Sequence, residues 1–126
     1  MESGLLFVSP YPQDARSLAQ MLDSHVVHVS GLKDAASKLE TGTFEVVLTE
    51  ANLEDGTWLD VLRLTRSLHL ELVVTDPWAG AQFWAEVINL GAYDLLAQPF
   101  HKTEVRHLIA SASSRQPHLK AYAAVS

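Results

Sequence analysis

Four polar residues close four of the apolar runs in this chain. Ser9 follows Leu5-Leu6-Phe7-Val8, Glu50 stands just beyond Val46-Val47-Leu48, Thr75 follows Leu72-Val73-Val74, and Gln98 comes shortly after Leu95-Leu96. If these runs are neighbouring strands of one sheet, the four side chains emerge at one edge. Together they offer one carboxylate, two hydroxyls and a carboxamide. Such a set can satisfy itself by mutual hydrogen bonding, as buried polar groups must. It is poorly suited to metal or phosphate chemistry. Magnesium seeks oxygen ligands that include one or two carboxylates, and Pro10, next to Ser9, brings no side-chain ligand.

Other candidates are weaker. Glu54 and Asp55 follow the third run and have ligand chemistry, but acids there more simply open a helix, where the macrodipole favours them. Asp55-Gly56 is a turn signal. The six histidines are scattered, with no pair at ligand spacing on one helical face. There is no cysteine, so thiolate chemistry, disulfides and sulfur-built zinc sites are excluded.

The elements that would position these residues follow from pattern. The runs named above, with Val26-Val27-His28-Val29 and Tyr93-Asp94-Leu95-Leu96, make five strands. The first four lack polar alternation, the mark of strands covered on both faces in a parallel sheet. Between and after them, apolar residues recur at helical spacing: Ala15, Leu18, Ala19 and Leu22; Leu32, Ala35, Ala36 and Leu39; Leu59, Val61 and Leu62 from about Trp58 to Leu68; Ala81, Trp84, Ala85 and Ile88; Val105, Leu108, Ile109 and Ala112. Pro12 suits a first helical turn, Ser30 can cap the second helix, and Gly42 and Gly91 fall where helices should end in the left-handed conformation. Five β-α units with right-handed crossovers form an open doubly wound α/β sheet, three layers deep. Sites in such sheets lie at the carboxyl ends of the strands, which is where Ser9, Glu50, Thr75 and Gln98 fall. Residues 1–113 are expected to form one domain and 114–126 a helix end or linker.

Composition fits a single domain. The chain has 126 residues, of which 48% are hydrophobic and 19% charged, enough for one core and too few charges for general disorder. A net charge of -6 argues against clamping nucleic acid through its phosphates. Met1 to Pro10 shows no basic run followed by a long apolar stretch, so no signal peptide is expected. No apolar run approaches the length of a membrane span. The absence of cysteine fits a reducing, cytoplasmic setting.

Two segments carry a family resemblance. Glu45-Val46-Val47-Leu48-Thr49-Glu50-Ala51-Asn52-Leu53-Glu54-Asp55-Gly56 resembles the third strand and following loop of response-regulator receiver domains, the CheY-like family of two-component signalling in bacteria. Gly91-Ala92-Tyr93-Asp94-Leu95-Leu96-Ala97-Gln98-Pro99-Phe100 is similar to the Gly-Ala-x-x-Tyr-Leu-x-Lys-Pro-Phe fifth-strand segment of that family. The resemblance runs from Leu5 to about Ala112. It implies the (βα)5 flavodoxin-like fold with strand order 2-1-3-4-5. It also implies partner contacts through the surface of the fourth helix, fifth strand and fifth helix, including a homodimer.

The departures from that family decide the expected function. Where the family has two acids that hold magnesium, this chain has Ser9 and Pro10. Glu50 stands at the phosphoacceptor aspartate and Gln98 at the phosphate-pairing lysine. The switch hydroxyl is kept as Thr75. The switch aromatic is replaced by Leu95, with Tyr93 two residues earlier on what alternation makes the same side. Receiver phosphorylation is an in-line transfer that needs the cation and the lysine together, and the resemblance leaves Glu50 as the only carboxylate at the pocket centre. The expectation is therefore a pseudo-receiver: not an enzyme, without cofactor or metal, acting in signal transduction through phosphorylation-independent binding of protein partners such as regulator or kinase components. Trp58, Trp78 and Phe83 are the candidate partner contacts. One alternative is a phosphoacceptor of a phosphorelay with unusual site residues. Another, a flavodoxin-like cofactor binder, fits badly, because Pro10 and Pro12 remove amide donors from the loop that would wrap a phosphate.

Overall fold

The computed structural model describes residues 4–23 and 25–114. In chain order the elements are β1 (Gly4–Val8), α1 (Pro12–Met21), β2 (Val26–Val29), α2 (Leu32–Thr41), β3 (Phe44–Glu50), β4 (Asn52–Leu53), β5 (Gly56–Thr57), α3 (Trp58–Ser67), β6 (Glu71–Asp76), α4 (Ala81–Asn89), β7 (Asp94–Ala97) and α5 (Lys102–Ser113). The main sheet is parallel in the order β2-β1-β3-β6-β7. This is the doubly wound arrangement read from the sequence, with β6 and β7 as the expected fourth and fifth strands. The numbering differs because a two-stranded antiparallel hairpin, β4–β5, stands between β3 and α3. The tail expected from 114 onward lies outside the described residues except for Ser114, which ends α5.

Two apolar layers sandwich the sheet. On one face Leu6, Val8, Val47 and Val74 pack against Ala35, Leu39, Val61, Leu62 and Val87 of α2, α3 and α4. On the other, Leu5, Phe7, Val46, Leu48, Val73 and Leu96 meet Ala15 and Leu18 of α1 and Val105, Leu108, Ile109 and Ala112 of α5. Alternate residues of the central strands serve opposite layers, so their middles read as apolar runs without polar alternation.

Several local expectations change. Ala19 is exposed; α1 buries Ala15 and Leu18 and leans Met21 and Leu22 onto the layer instead. In α4 only Val87 is fully buried, flanked by half-buried Phe83 and Trp84. Six of its nine residues are apolar and cover a wide arc opposite Gln82, Glu86 and Asn89, so periodicity leaves open which part of that arc faces inward. Gly42 ends α2 with φ -108, an extended conformation. Gly91, at φ +111, does take the left-handed conformation that favours glycine.

Ser30 does not cap α2. The N-cap is Gly31, without a side-chain bond of its own, and the cap comes from across the fold. Asp55, in the β4–β5 turn, accepts from the main-chain N–H groups of Leu32 at 2.8 Å and Lys33 at 3.0 Å. A Cβ at position 31 would lie 2.7 Å from the Asp55 carboxylate, so glycine is what lets the two segments approach. Ser30 donates to Asp34 at 3.4 Å. Asp55 thus opens a different helix from the one its position in the chain suggests. For α3 that part is played by Thr57 and Asp60, which form a capping box.

Candidate functional site

Four of the five carboxyl-end positions converge through their side chains. Parallel pairing places β1, β3, β6 and β7 side by side with their carboxyl ends level: Val8 pairs with Thr49, Glu50 with Thr75, and Thr75 with Leu96. Ser9, Glu50 and Thr75 are buried at the centre of this edge, and Glu50 is only 3% exposed.

The Ser9 hydroxyl donates to Glu50 Oε2 at 3.0 Å, and the Gln98 amide nitrogen donates to Glu50 Oε1 at 2.9 Å. The same nitrogen donates to Thr75 Oγ1 at 3.2 Å. Thr75 in turn donates to the main-chain carbonyl of Leu96 at 2.7 Å. This last bond fixes the direction of the network. With the single hydroxyl proton of Thr75 engaged on Leu96, Thr75 must accept from Gln98, and the amide nitrogen, not its oxygen, faces Glu50. Thr75 therefore reaches Glu50 only through Gln98. Ser9 Oγ also accepts from the Tyr11 main-chain N–H at 3.0 Å, which ties the β1–α1 loop to the same network.

A residue that the sequence reading passed over joins this group. Asp14, in the first turn of α1, lies near enough to Glu50 to oppose its ionisation. Glu50 is thus not the only carboxylate at the pocket. Its carboxyl is pushed up from 4.5 to about 7, chiefly by burial and then by the hydrogen bond and charge of Asp14, against the opposing pull of Gln98 and Ser9. The available signal was an acid just beyond the first carboxyl-end loop. An acid in a first helical turn already has an explanation in the helix dipole, and that explanation hides it.

The receiver resemblance raises the question of magnesium. The donor set does not fit the ion. Pro10 supplies nothing, one Glu50 oxygen takes an N–H from Gln98 and the other an O–H from Ser9, and Gln98 turns a nitrogen inward. Among the described residues no group of three or more His, Asp or Glu side chains is arranged to hold a metal ion. Asp55 is engaged on α2 and Glu54 is exposed at the hairpin turn.

The three aromatic candidates for partner contact separate. Trp58 is 5% exposed and belongs to the core, with its ring edge-on to Phe83 at 6.1 Å between centroids. Burial leaves it little to offer a partner. Phe83 is half-buried against the same layer. Trp78, in the loop before α4, is 86% exposed. Leu95 is buried beneath α4, whereas Tyr93 packs on the opposite layer with α1 and α5. Tyr93 precedes the first residue of β7, so strand alternation does not extend to it.

The fold has close counterparts among solved structures. A signal receiver domain from Vibrio parahaemolyticus superposes with a TM-score of 0.82 at 18% identity, covering 91% of this chain and 92% of that one. A CheY-like response regulator receiver domain protein from Methanospirillum hungatei gives 0.79 at 16% identity, over 92% and 97%. A beryllofluoride-activated NtrC4 receiver domain, solved as a dimer, gives 0.79 at 21% identity, over 88% and 96%. No family model and no curated protein matches the sequence. At these identities the likeness is one of fold: the chain has the receiver fold, across nearly the full length of each counterpart.

Proposed function

We propose that this chain is a signalling module of pseudo-receiver type, which binds protein partners and does not take a phosphoryl group. One observation carries this reading. Each oxygen of the carboxylate at the phosphoacceptor position is held by a neutral donor, Ser9 or Gln98, where transfer requires a cation and a lysine. Losing electrostatic contacts of this kind costs about 3 kcal/mol each, by analogy with oxyanion-hole deletions.

The alternative is a phosphoacceptor with unusual ligands. Asp14 beside Glu50 favours it, as a second carboxylate near the reacting position. Against it stands the inward nitrogen of Gln98. Incubation with acetyl phosphate, or with beryllofluoride and magnesium, followed by intact-mass spectrometry and NMR, separates the two. An unchanged mass and unmoved resonances around Glu50 are expected; an added phosphoryl mass lost on Glu50→Gln would establish the alternative.

The partner surface in this reading lies at the start of α4, where Trp78 stands out from the loop. Large aromatic side chains concentrate binding energy when a partner buries them. The dimeric receiver among the fold counterparts makes a second copy of this chain a partner worth testing, through the face of α4, β7 and α5. No helix among the described residues is long and apolar enough to cross a membrane.

A further inference from the structure

A hollow of about 310 Å³ lies between the β4–β5 hairpin and α4. Ala51, Trp58, Leu59 and Phe83 give it an apolar lining, and Asn52 and Asp76 add polar groups. The lining is aromatic where half-buried Phe83 meets the buried Trp58 edge-on at 6.1 Å. Asp76 ends β6, and one of its carboxylate oxygens accepts the Trp78 main-chain N–H at 3.1 Å. That bond holds Trp78, whose side chain stands in solvent, beside the acid of the hollow. The volume is at the lower end for small-molecule sites, roughly 300–1,000 Å³, and admits inserted side chains more readily than a whole cofactor.

The charge around the hollow has one sign. Residues 50–57 and 76–89, which form its hairpin and α4 sides, include exposed Glu54 and Glu86 and half-buried Asp76, and no lysine, arginine or histidine. On α3, Arg63 is engaged by Asp60 at 2.9 Å, and Arg66 reaches the Leu90 carbonyl at the far end of α4. No ion pair among the described residues takes in Asp76. An apolar hollow bounded by acids, with an exposed indole beside it, is complementary to a segment that carries arginine next to an apolar side chain. The guanidinium can pair with a carboxylate and stack on an aromatic face, while the apolar side chain leaves water. A second copy meeting the hollow through this same face would bring acids to acids, and opposed like charges reject a partner.

We infer that this hollow is the docking point for a basic, partly apolar segment of a different protein: an apolar side chain enters it against Phe83, and a neighbouring arginine lies between the Asp76 carboxylate and the Trp78 ring. This deepens the partner reading above and rests on it, since Trp78 marks the surface and the hollow gives that surface its chemistry.

The test is an NMR titration of the full chain with a capped peptide of alternating arginine and leucine, and with the same peptide carrying glutamate for arginine. The arginine peptide should shift the Asn52, Thr57, Trp78 and Phe83 amides and the Trp78 indole saturably, and bind more weakly as salt is raised. The glutamate peptide should shift none of them. Asp76→Asn keeps an oxygen for the Trp78 N–H and removes the charge; it should weaken the arginine peptide about tenfold. Trp78→Ala, outside the core, should weaken it about tenfold as well. Equal binding of the two peptides, undiminished binding to Asp76→Asn, or no shift at the hollow at millimolar peptide overturns the inference. Shifts confined to Trp78 and indifferent to Asp76 overturn it while leaving the partner surface in place. Shifts gathered on α5 overturn both. Acetyl phosphate labelling of the same chain answers the phosphoryl question separately.

Discussion

Asp55 caps a helix to which it is joined only through the whole of β3: its carboxylate takes the main-chain N–H of Leu32 at 2.8 Å, twenty-three residues back in the chain. The hairpin that carries Asp55 also leads into α3, so one exposed side chain fixes the relative placement of α2, β4–β5 and α3. Asp55→Ala should lower the melting temperature and speed hydrogen exchange at Leu32 and Lys33, with little change in the α5 amides. The acid of Asp55 is held below its ordinary 3.8 by the Leu32 and Lys33 amides. A depressed carboxylate contributes stability that is present above 3.8 and lost as pH falls through the lower folded value. The difference between wild type and Asp55→Ala should therefore shrink in acid.

Glu50 works in the opposite sense. Its acid is raised to about 7 from 4.5, so the fold favours the protonated form. The contribution is full below pH 4.5 and is lost as pH rises through 7. Stability traceable to this group should fall across that window, by on the order of 3 kcal/mol if the whole difference is expressed. Glu50→Gln should flatten the profile and be more stable than the wild type at pH 8. Urea melts at pH 5 and pH 8 for both proteins decide it; a wild type that gains stability relative to Glu50→Gln on going from pH 5 to pH 8 would show the sign to be wrong.

Trp58 tests the packing. Its side chain fills the layer between α3 and α4 and meets Phe83 edge-on. Trp58→Ala should cost about 3–5 kcal/mol in chemical denaturation, the usual range for a buried tryptophan truncated to alanine. A loss under about 1 kcal/mol would mean that the site collapses to fill the space.

Trp78 should behave in the reverse manner. At 86% exposed it contributes little to the isolated fold, and Trp78→Ala should change stability by no more than about 0.5 kcal/mol. If the loop before α4 is the partner surface, the same change should weaken partner binding, or self-association measured by sedimentation, about tenfold or more. Unaltered binding would move the surface elsewhere.

The fold was legible because burial on both faces leaves an unmistakable mark: β1 is buried at every position of the run Leu5–Val8, and the stripe Val105, Leu108, Ile109 and Ala112 is buried throughout. The site was legible as far as its strand ends, since parallel register alone brings Ser9, Glu50 and Thr75 level. Three things lay beyond pattern. The inward face of α4 was hidden by the width of its apolar arc, which Gln82, Glu86 and Asn89 bound on one side only. The cap of α2 comes from a residue distant in the chain, which local capping rules cannot see. Asp14 comes near Glu50 through the way α1 lies on the sheet, a matter of packing that one sequence does not express.

The three tryptophans stand at three depths. Trp58 is sealed in the core, Trp84 is half-covered with its indole N–H on Asp94 at 2.8 Å, and Trp78 is in solvent. This gives the protein a built-in optical gauge. A soluble quencher samples chiefly Trp78, so loss of quenching on mixing with another molecule reports coverage of the loop before α4. A red shift of the protected emission reports opening of the interior, without any attached dye.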